Sequence, residues 1–198
     1  QEGGGSRLPT ETEDPVNRDE ATPSFHIVGI GASAGGLEAL EALFDHLPAQ
    51  CGMAFVVVQH LSPDFKSMMD ELLARHTTMP VRRVEDGMRV EPDFVQDGQL
   101  RLSDKDPSQG LSLPIDTFFR SLAQDAGERA IGVVLSGTGS DGSRGVSAIH
   151  DAGGLVMTQT VESATFDGMP KAAVETGIVD LELPPDEMGD ALSRYVTV

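Results

Sequence analysis

A chain of 198 residues with 32 acidic against 14 basic side chains, a formal charge of −18, suits neither nucleic acid nor an anionic membrane surface as a partner. At 39% hydrophobic and 23% charged residues it is expected to form one soluble globular domain, since no apolar run approaches the roughly 20 residues of a membrane span and no signal peptide is recognisable. The single cysteine, Cys51, excludes an internal disulfide framework and a cysteine-rich zinc site, and fits a reducing, cytoplasmic setting.

Residues 1–22 read as a disordered acidic linker or tail, with linker chemistry at Gly3-Gly4-Gly5-Ser6 and a polar, proline-dotted run behind it. The absence of an initial methionine suits a piece excised from a longer protein. The globular domain is expected over residues 23–198. It opens with the apolar run Phe25 to Ile30, a buried strand, which passes through Gly31-Ala32-Ser33-Ala34-Gly35-Gly36 into a helix. Leu37, Leu40, Leu43, Phe44 and Leu47 keep helical spacing until Pro48. Met53 to Val58 is continuously apolar, as in a parallel strand buried on both faces, and it ends at Gln59-His60-Leu61-Ser62-Pro63. A helix around Met68, Met69, Leu72 and Leu73 follows, then a short strand at Pro80 to Val84. Residues Val90 to Leu102 suggest a small hairpin insertion about an Asp97-Gly98 turn.

Pro114 suits the first turn of a helix whose inner face is Ile115, Phe118, Phe119, Leu122, Ala123 and Ala126. Ala130 to Leu135 is another buried strand, delivering the small-residue turn Ser136-Gly137-Thr138-Gly139-Ser140-Asp141-Gly142 into a helix closed by Gly153-Gly154. Leu155 to Thr158 is a strand, Met169-Pro170 opens a helix that Gly177 closes, and Ile178 to Leu181 reads as an edge segment. A last helix follows Pro184-Pro185. Strands alternating with helices imply an α/β fold, a doubly wound, mostly parallel sheet with helices on both faces.

Ligands of such sheets bind at the carboxyl ends of the strands. Three strands end there in glycine-rich or polar turns bearing Ser33, His60 and Asp141, the parts of a hydrolase triad. Ser33 lies in a G-x-S-x-G arrangement, which exposes a nucleophile in front of helix N–H groups. The same stretch, Gly29 to Ala34, satisfies a looser dinucleotide fingerprint, and a βα turn rich in glycine only for packing is the third reading. Against a dinucleotide site, the second strand ends in Gln59-His60 rather than an acid for the ribose, and no phosphate-loop motif occurs. Asp141 has a structural alternative as a helix N-cap, a role Ser140 could also fill. His26, His46, His76 and His150 lie in a strand or near helix ends and are poorer candidates for a base. The order Ser, His, Asp, with the elbow after the first strand, differs from an α/β-hydrolase proper.

Gly31 to Gly36, Gln59 to Pro63, Glu85-Asp86-Gly87, Leu135 to Gly142 and Gly168-Met169-Pro170 stand in the order seen in the CheB-type protein-glutamate methylesterases, which the chain resembles over about residues 25–196. The wording of Leu37 to Leu40, Pro114 to Leu122 and Phe166 to Pro170 is most similar to the branch fused to a CheR-type methyltransferase. The resemblance implies a Rossmann-like three-layer fold and a serine hydrolase of chemotaxis signal transduction. Its substrates would be glutamyl methyl esters on the cytoplasmic helices of chemoreceptors, often with glutamine deamidation beside them. It further implies Ser33 as nucleophile, His60 as base and Asp141 as the carboxylate that orients the base, with no metal and no cofactor. Backbone N–H groups near Ala34, Thr138 and Gly139 are the candidates for the oxyanion.

The chain departs from the family pattern in several places. Ala34 stands where threonine is common and Thr138 where methionine is found. Asp93-Phe94-Val95 runs on to Gln96-Asp97-Gly98 without a usual intervening segment, and no phosphorylatable receiver domain is expected within these 198 residues. These departures keep a second reading open, a non-catalytic receptor-binding or scaffold domain of the same fold. A dinucleotide-binding module is the third.

Overall fold

The computed structural model describes residues 24–59, 69–83, 91–98 and 113–197. The described strands form one sheet: β1 (Ile27–Ala32), β2 (Ala54–Gln59), β3 (Val81–Arg83), β4 (Val95–Gly98), β5 (Ala130–Val134), β6 (Leu155–Gln159) and β7 (Leu181–Leu183). Their order across the sheet is β3-β4-β2-β1-β5-β6-β7, and every pairing is parallel. The helices are α1 (Gly36–Asp45), α2 (Met69–Leu73), α3 (Pro114–Ala126), α4 (Ser143–Asp151), α5 (Gly168–Glu175) and α6 (Pro185–Val196).

The central strands are buried from end to end, which is why their sequences run apolar without alternation. Val28, Ile30 and Ala32 of β1 face a core completed by α1, α2 and α6. The opposite core is built from Val56, Val58, Val134 and Val156 against α3, α4 and α5. On that second face β1 offers Ile27 at its start and then Gly29 and Gly31. A Cβ at Gly29 would come within 2.7 Å of the Phe118 ring, and one at Gly31 within 2.5 Å of Ile115. Both glycines serve the close seating of α3 on the sheet.

The Asp97-Gly98 turn is a correction. These residues do not reverse the chain; they end β4, in parallel register with Val57 and Val58 of β2. Lodging beside a buried strand supplies more hydrogen bonds than a local two-residue turn, and tertiary pairing overrides the turn signal. Asp93, at φ 60°, makes the entry: its carboxylate accepts from the N–H groups of Cys51 and Gly52, at 2.8 and 2.7 Å. The remainder of the expected hairpin, residues 99–102, lies outside the described residues. The edge strand β7 runs from Leu181 to Leu183, a few residues later than the sequence suggests.

Chain direction across the sheet reverses between β1 and β5. The strands that follow β1 all lie on one side of it, β2 beside it, β3 at the edge and β4 between those two; β5 lies on its other side and leads outward to β6 and β7. The helix after β1 lies on one face and the helix after β5 on the other. A crevice opens at the carboxyl ends of strands at such a switch point.

Candidate active site

Ser33 is the first residue beyond β1 and is half-buried. Gly35, in a left-handed conformation at φ 71°, is the N-cap of α1 and turns the chain. A side chain there would strike the Ser136 hydroxyl at 2.7 Å and Thr165 at 3.0 Å. The elbow therefore needs its glycine for two reasons, backbone conformation and space. By contrast Gly29 and Gly31 sit inside the strand, not in a turn against which a pyrophosphate could rest, so the dinucleotide fingerprint lacks its structural basis. For these two glycines the packing reading holds.

The turn after β5 is fastened to the Ser33 turn. The Ser33 N–H donates to the Ser136 carbonyl at 3.0 Å. The Ser136 N–H donates to Gln159 Oε1 at 2.8 Å, and its hydroxyl donates to the Ala34 carbonyl at 2.8 Å while accepting from the Phe166 N–H at 3.0 Å. The Gly137 N–H donates to the Phe166 carbonyl at 3.0 Å and the Met169 N–H to the Gly137 carbonyl at 2.9 Å. Ser136 is thus a fully buried junction between the β1–α1 turn, the β5–α4 turn and the β6–α5 loop. In the sequence it is one small residue among several. Its partners lie from 23 positions away at Gln159 to 103 at Ser33, beyond the reach of any local pattern.

Close approach explains the glycines around this junction. A Cβ at Gly137 would collide with the Met169 sulfur and stand 2.8 Å from the Ser33 Cβ. One at Gly168 would lie 3.0 Å from the backbone of Gly139. Gly168-Met169-Pro170 thus seals the β5 turn from behind, with Met169 buried beneath it. Of the oxyanion candidates, Ala34 is half-buried at the start of the elbow, and Thr138 and Gly139 are exposed at the crest of the second turn.

Asp141 is 4% exposed, and it does not cap its own helix: the N-cap of α4 is Gly142, without a side-chain hydrogen bond. Instead its two oxygens accept from α3, Oδ2 from the Ile115 N–H at 3.1 Å and Oδ1 from the Asp116 N–H at 2.9 Å. Asp116, 2% exposed, answers across the gap by accepting from the Gly145 N–H of α4 at 2.7 Å. Asp141 thus satisfies two N-terminal N–H groups of α3, and Asp116 one in the first turn of α4. Burial pushes the Asp141 carboxyl above its ordinary value, the donated N–H groups pull it down, and the neighbouring Asp116 charge pushes it up again. The second Asp116 oxygen is buried with no hydrogen-bond partner. Two carboxylates packed together in a dry spot are costly, and such sites are enriched in function.

His60 lies outside the described residues. Gln59, which precedes it, is in register with Ala32, which precedes Ser33. The other histidines lie away from this crevice. His26 stacks edge-on against Tyr195 at the amino end of β1, and His46 bonds the Ala42 carbonyl at 2.8 Å. His76 pairs with Asp45 at 2.8 Å, and His150 is exposed in the last turn of α4. Among the described residues, no group of three or more His, Cys, Asp or Glu side chains could hold a metal ion. None of the described helices is long and apolar enough to cross a membrane.

Comparison with known proteins gives concordant findings. The family model described as CheB methylesterase matches residues 28–192. A protein-glutamate methylesterase/protein-glutamine glutaminase of Xanthomonas oryzae pv. oryzae is 35% identical over 84% of this chain and 50% of its own length. An uncharacterized 104.1 kDa protein of Rhodobacter capsulatus is 48% identical over 65% of this chain, which is 14% of that protein. The crystal structure of the Thermotoga maritima CheB methylesterase catalytic domain superposes with a TM-score of 0.79 at 29% identity, covering 87% of this chain and 99% of that one. The chain spans about half the length of the methylesterase relatives it matches, 50% in Xanthomonas and 56% in Agrobacterium fabrum.

Proposed function

Because the chain belongs to the CheB methylesterase family, we propose that it is the catalytic domain of a protein-glutamate methylesterase, a serine hydrolase acting in the cytoplasm on methylated chemoreceptor helices. Deamidation of receptor glutamines would be a companion reaction, as the names of its relatives suggest. The supporting observation is the bond from the Ser33 N–H to the Ser136 carbonyl, which ties the nucleophile's turn to the turn leading to Asp141 at the switch point of the sheet.

In this reading neutral His60 takes the Ser33 proton as the hydroxyl oxygen attacks the ester carbonyl. Asp141 holds the imidazole in the right tautomer; a carboxylate has about four acceptor sites, so the two bonds from α3 leave room for an imidazole N–H. Backbone N–H groups at Ala34 and in the Thr138-Gly139 crest face the developing oxyanion. Methanol leaves with the proton from His60, and water activated by the same imidazole then hydrolyses the acyl-serine.

Residues 1–22 serve as a linker ahead of the domain at 23–198. The 48% identity with a stretch making up 14% of a 104.1 kDa protein supports placing the domain in a longer, multidomain chain, and the fusion to a CheR-type methyltransferase is the arrangement we favour.

Methanol release from a methylated receptor fragment tests the function. The intact domain should release it, and Ser33→Ala should lose at least about a thousandfold in rate. Equal rates from both would establish instead a receptor-binding scaffold without turnover. The rate should also fall as pH drops through the His60 pKa, near 6.5 if unperturbed, because imidazolium cannot accept a proton. A flat profile from about pH 5 to 8 removes His60 as the base.

A further inference from the structure

Three large apolar side chains are exposed among the described residues: Phe166 at 44%, Leu181 at 38% and Tyr195 at 37%. Tyr195 packs against His26 at the amino end of β1, and Leu181 begins the edge strand. Phe166 differs in place. Its Cδ2 lies 3.2 Å from where a Gly35 Cβ would stand, so the ring flanks the turn that carries Ser33.

The loop that displays this ring is held firmly. The Phe166 N–H donates to the Ser136 hydroxyl at 3.0 Å, and its carbonyl accepts from the Gly137 N–H at 3.0 Å. An exposed aromatic on a pinned backbone has little freedom left to lose on binding, which is how interface anchors behave. The rest of the described rim is small: Ala34, Gly35, Gly137, Thr138 and Gly139 can bury little apolar area.

A methylated glutamyl presents the same ester wherever it occurs on a protein, so a preference among sites must come from the side chains around it. We propose that Phe166 supplies that preference, its ring receiving an apolar side chain one helical turn from the methylated glutamyl of the substrate polypeptide. This rests on the esterase reading above. The exposed Asp167 beside the ring and the charge of −18 disfavour acidic flanks and leave apolar ones as the complement.

The test uses two synthetic helical peptides, each carrying one glutamate γ-methyl ester, with leucine at the positions three and four residues away in one and alanine in the other. For the parent chain, kcat/KM for methanol release should favour the leucine peptide about tenfold, the scale set by burying one aliphatic side chain. In Phe166→Ala the ratio should fall to about one, and in Phe166→Leu, which keeps an apolar side chain, it should lie between. Because a ratio is read within each variant, partial loss of folded protein cancels. A parent ratio near one, or an undiminished ratio in Phe166→Ala, overturns the proposal. If the parent hydrolyses neither peptide, the esterase reading is what fails. The same ratio is then read from the two dissociation constants by calorimetry, with the same outcomes for or against Phe166.

Discussion

Asp93 and Asp141 sit at opposite ends of the sheet, and each carboxylate accepts two backbone N–H groups from a distant segment. At the amino end, Asp93 pins the Cys51-Gly52 turn beside β2 through one oxygen, half in solvent. At the carboxyl end, Asp141 uses both oxygens on α3, is nearly sealed from solvent, and faces a second buried carboxylate. Asp93 is accounted for by turn chemistry alone. Asp141 exceeds what fastening a helix requires, because a neutral acceptor would hold α3 without the desolvation cost of a charge. The excess is what a group retained for chemistry should show.

Amide replacement separates the two most sharply. Asp141→Asn should lower methanol release by about a thousand- to ten-thousandfold, since the neutral amide cannot stabilise the imidazolium or fix its tautomer. Asp93→Asn should leave the rate within about twofold. Comparable losses in both would erase the distinction. Truncation gives the next largest effect. Asp141→Ala orphans two buried N–H groups of α3 and should cost about 2 kcal/mol in urea unfolding, against about 1 kcal/mol for Asp93→Ala, whose N–H groups water can reach.

The smallest effect is on pH dependence. The folded state raises the Asp141 pKa, chiefly by burial, so between the unfolded value near 3.9 and the higher folded value it binds more protons than the unfolded chain. Stability from this site therefore declines as pH rises through that window and is recovered on acidification. The melting temperature of the parent minus that of Asp141→Asn should shift in the parent's favour between pH 7 and pH 4. A shift in the other direction would mean that the N–H groups of Ile115 and Asp116 outweigh the burial.

Much of the framework was legible because it is local. The apolar runs from Met53 to Val58 and from Ala130 to Leu135 hold the buried parallel strands Ala54–Gln59 and Ala130–Val134, and the spacing from Ile115 to Ala126 is the buried face of α3. The carboxyl ends of those strands point to Ser33, His60 and Asp141 as candidates on topology alone. What stayed hidden depends on partners far along the chain. Asp97-Gly98 carries a local turn signal that two neighbouring strands override. The cap rule associates Asp141 with the helix that follows it, whereas the structure gives it to a helix 25 residues earlier. Ser136 and Asp116 acquire meaning only once the turn after β5, the loop before α5 and the start of α3 have come together.

One measurement bears on the proposed Ser33–His60–Asp141 relay without intermediaries: a crystal structure of the chain with a phosphonate ester bonded to Ser33 Oγ. The expected result has the His60 imidazole within about 3.2 Å of both Ser33 Oγ and an Asp141 oxygen, with a phosphonyl oxygen on N–H groups of Ala34 and the Thr138-Gly139 crest. An imidazole directed away from that crevice, with Asp141 bonded to α3 alone, would contradict it and leave Asp141 a structural residue.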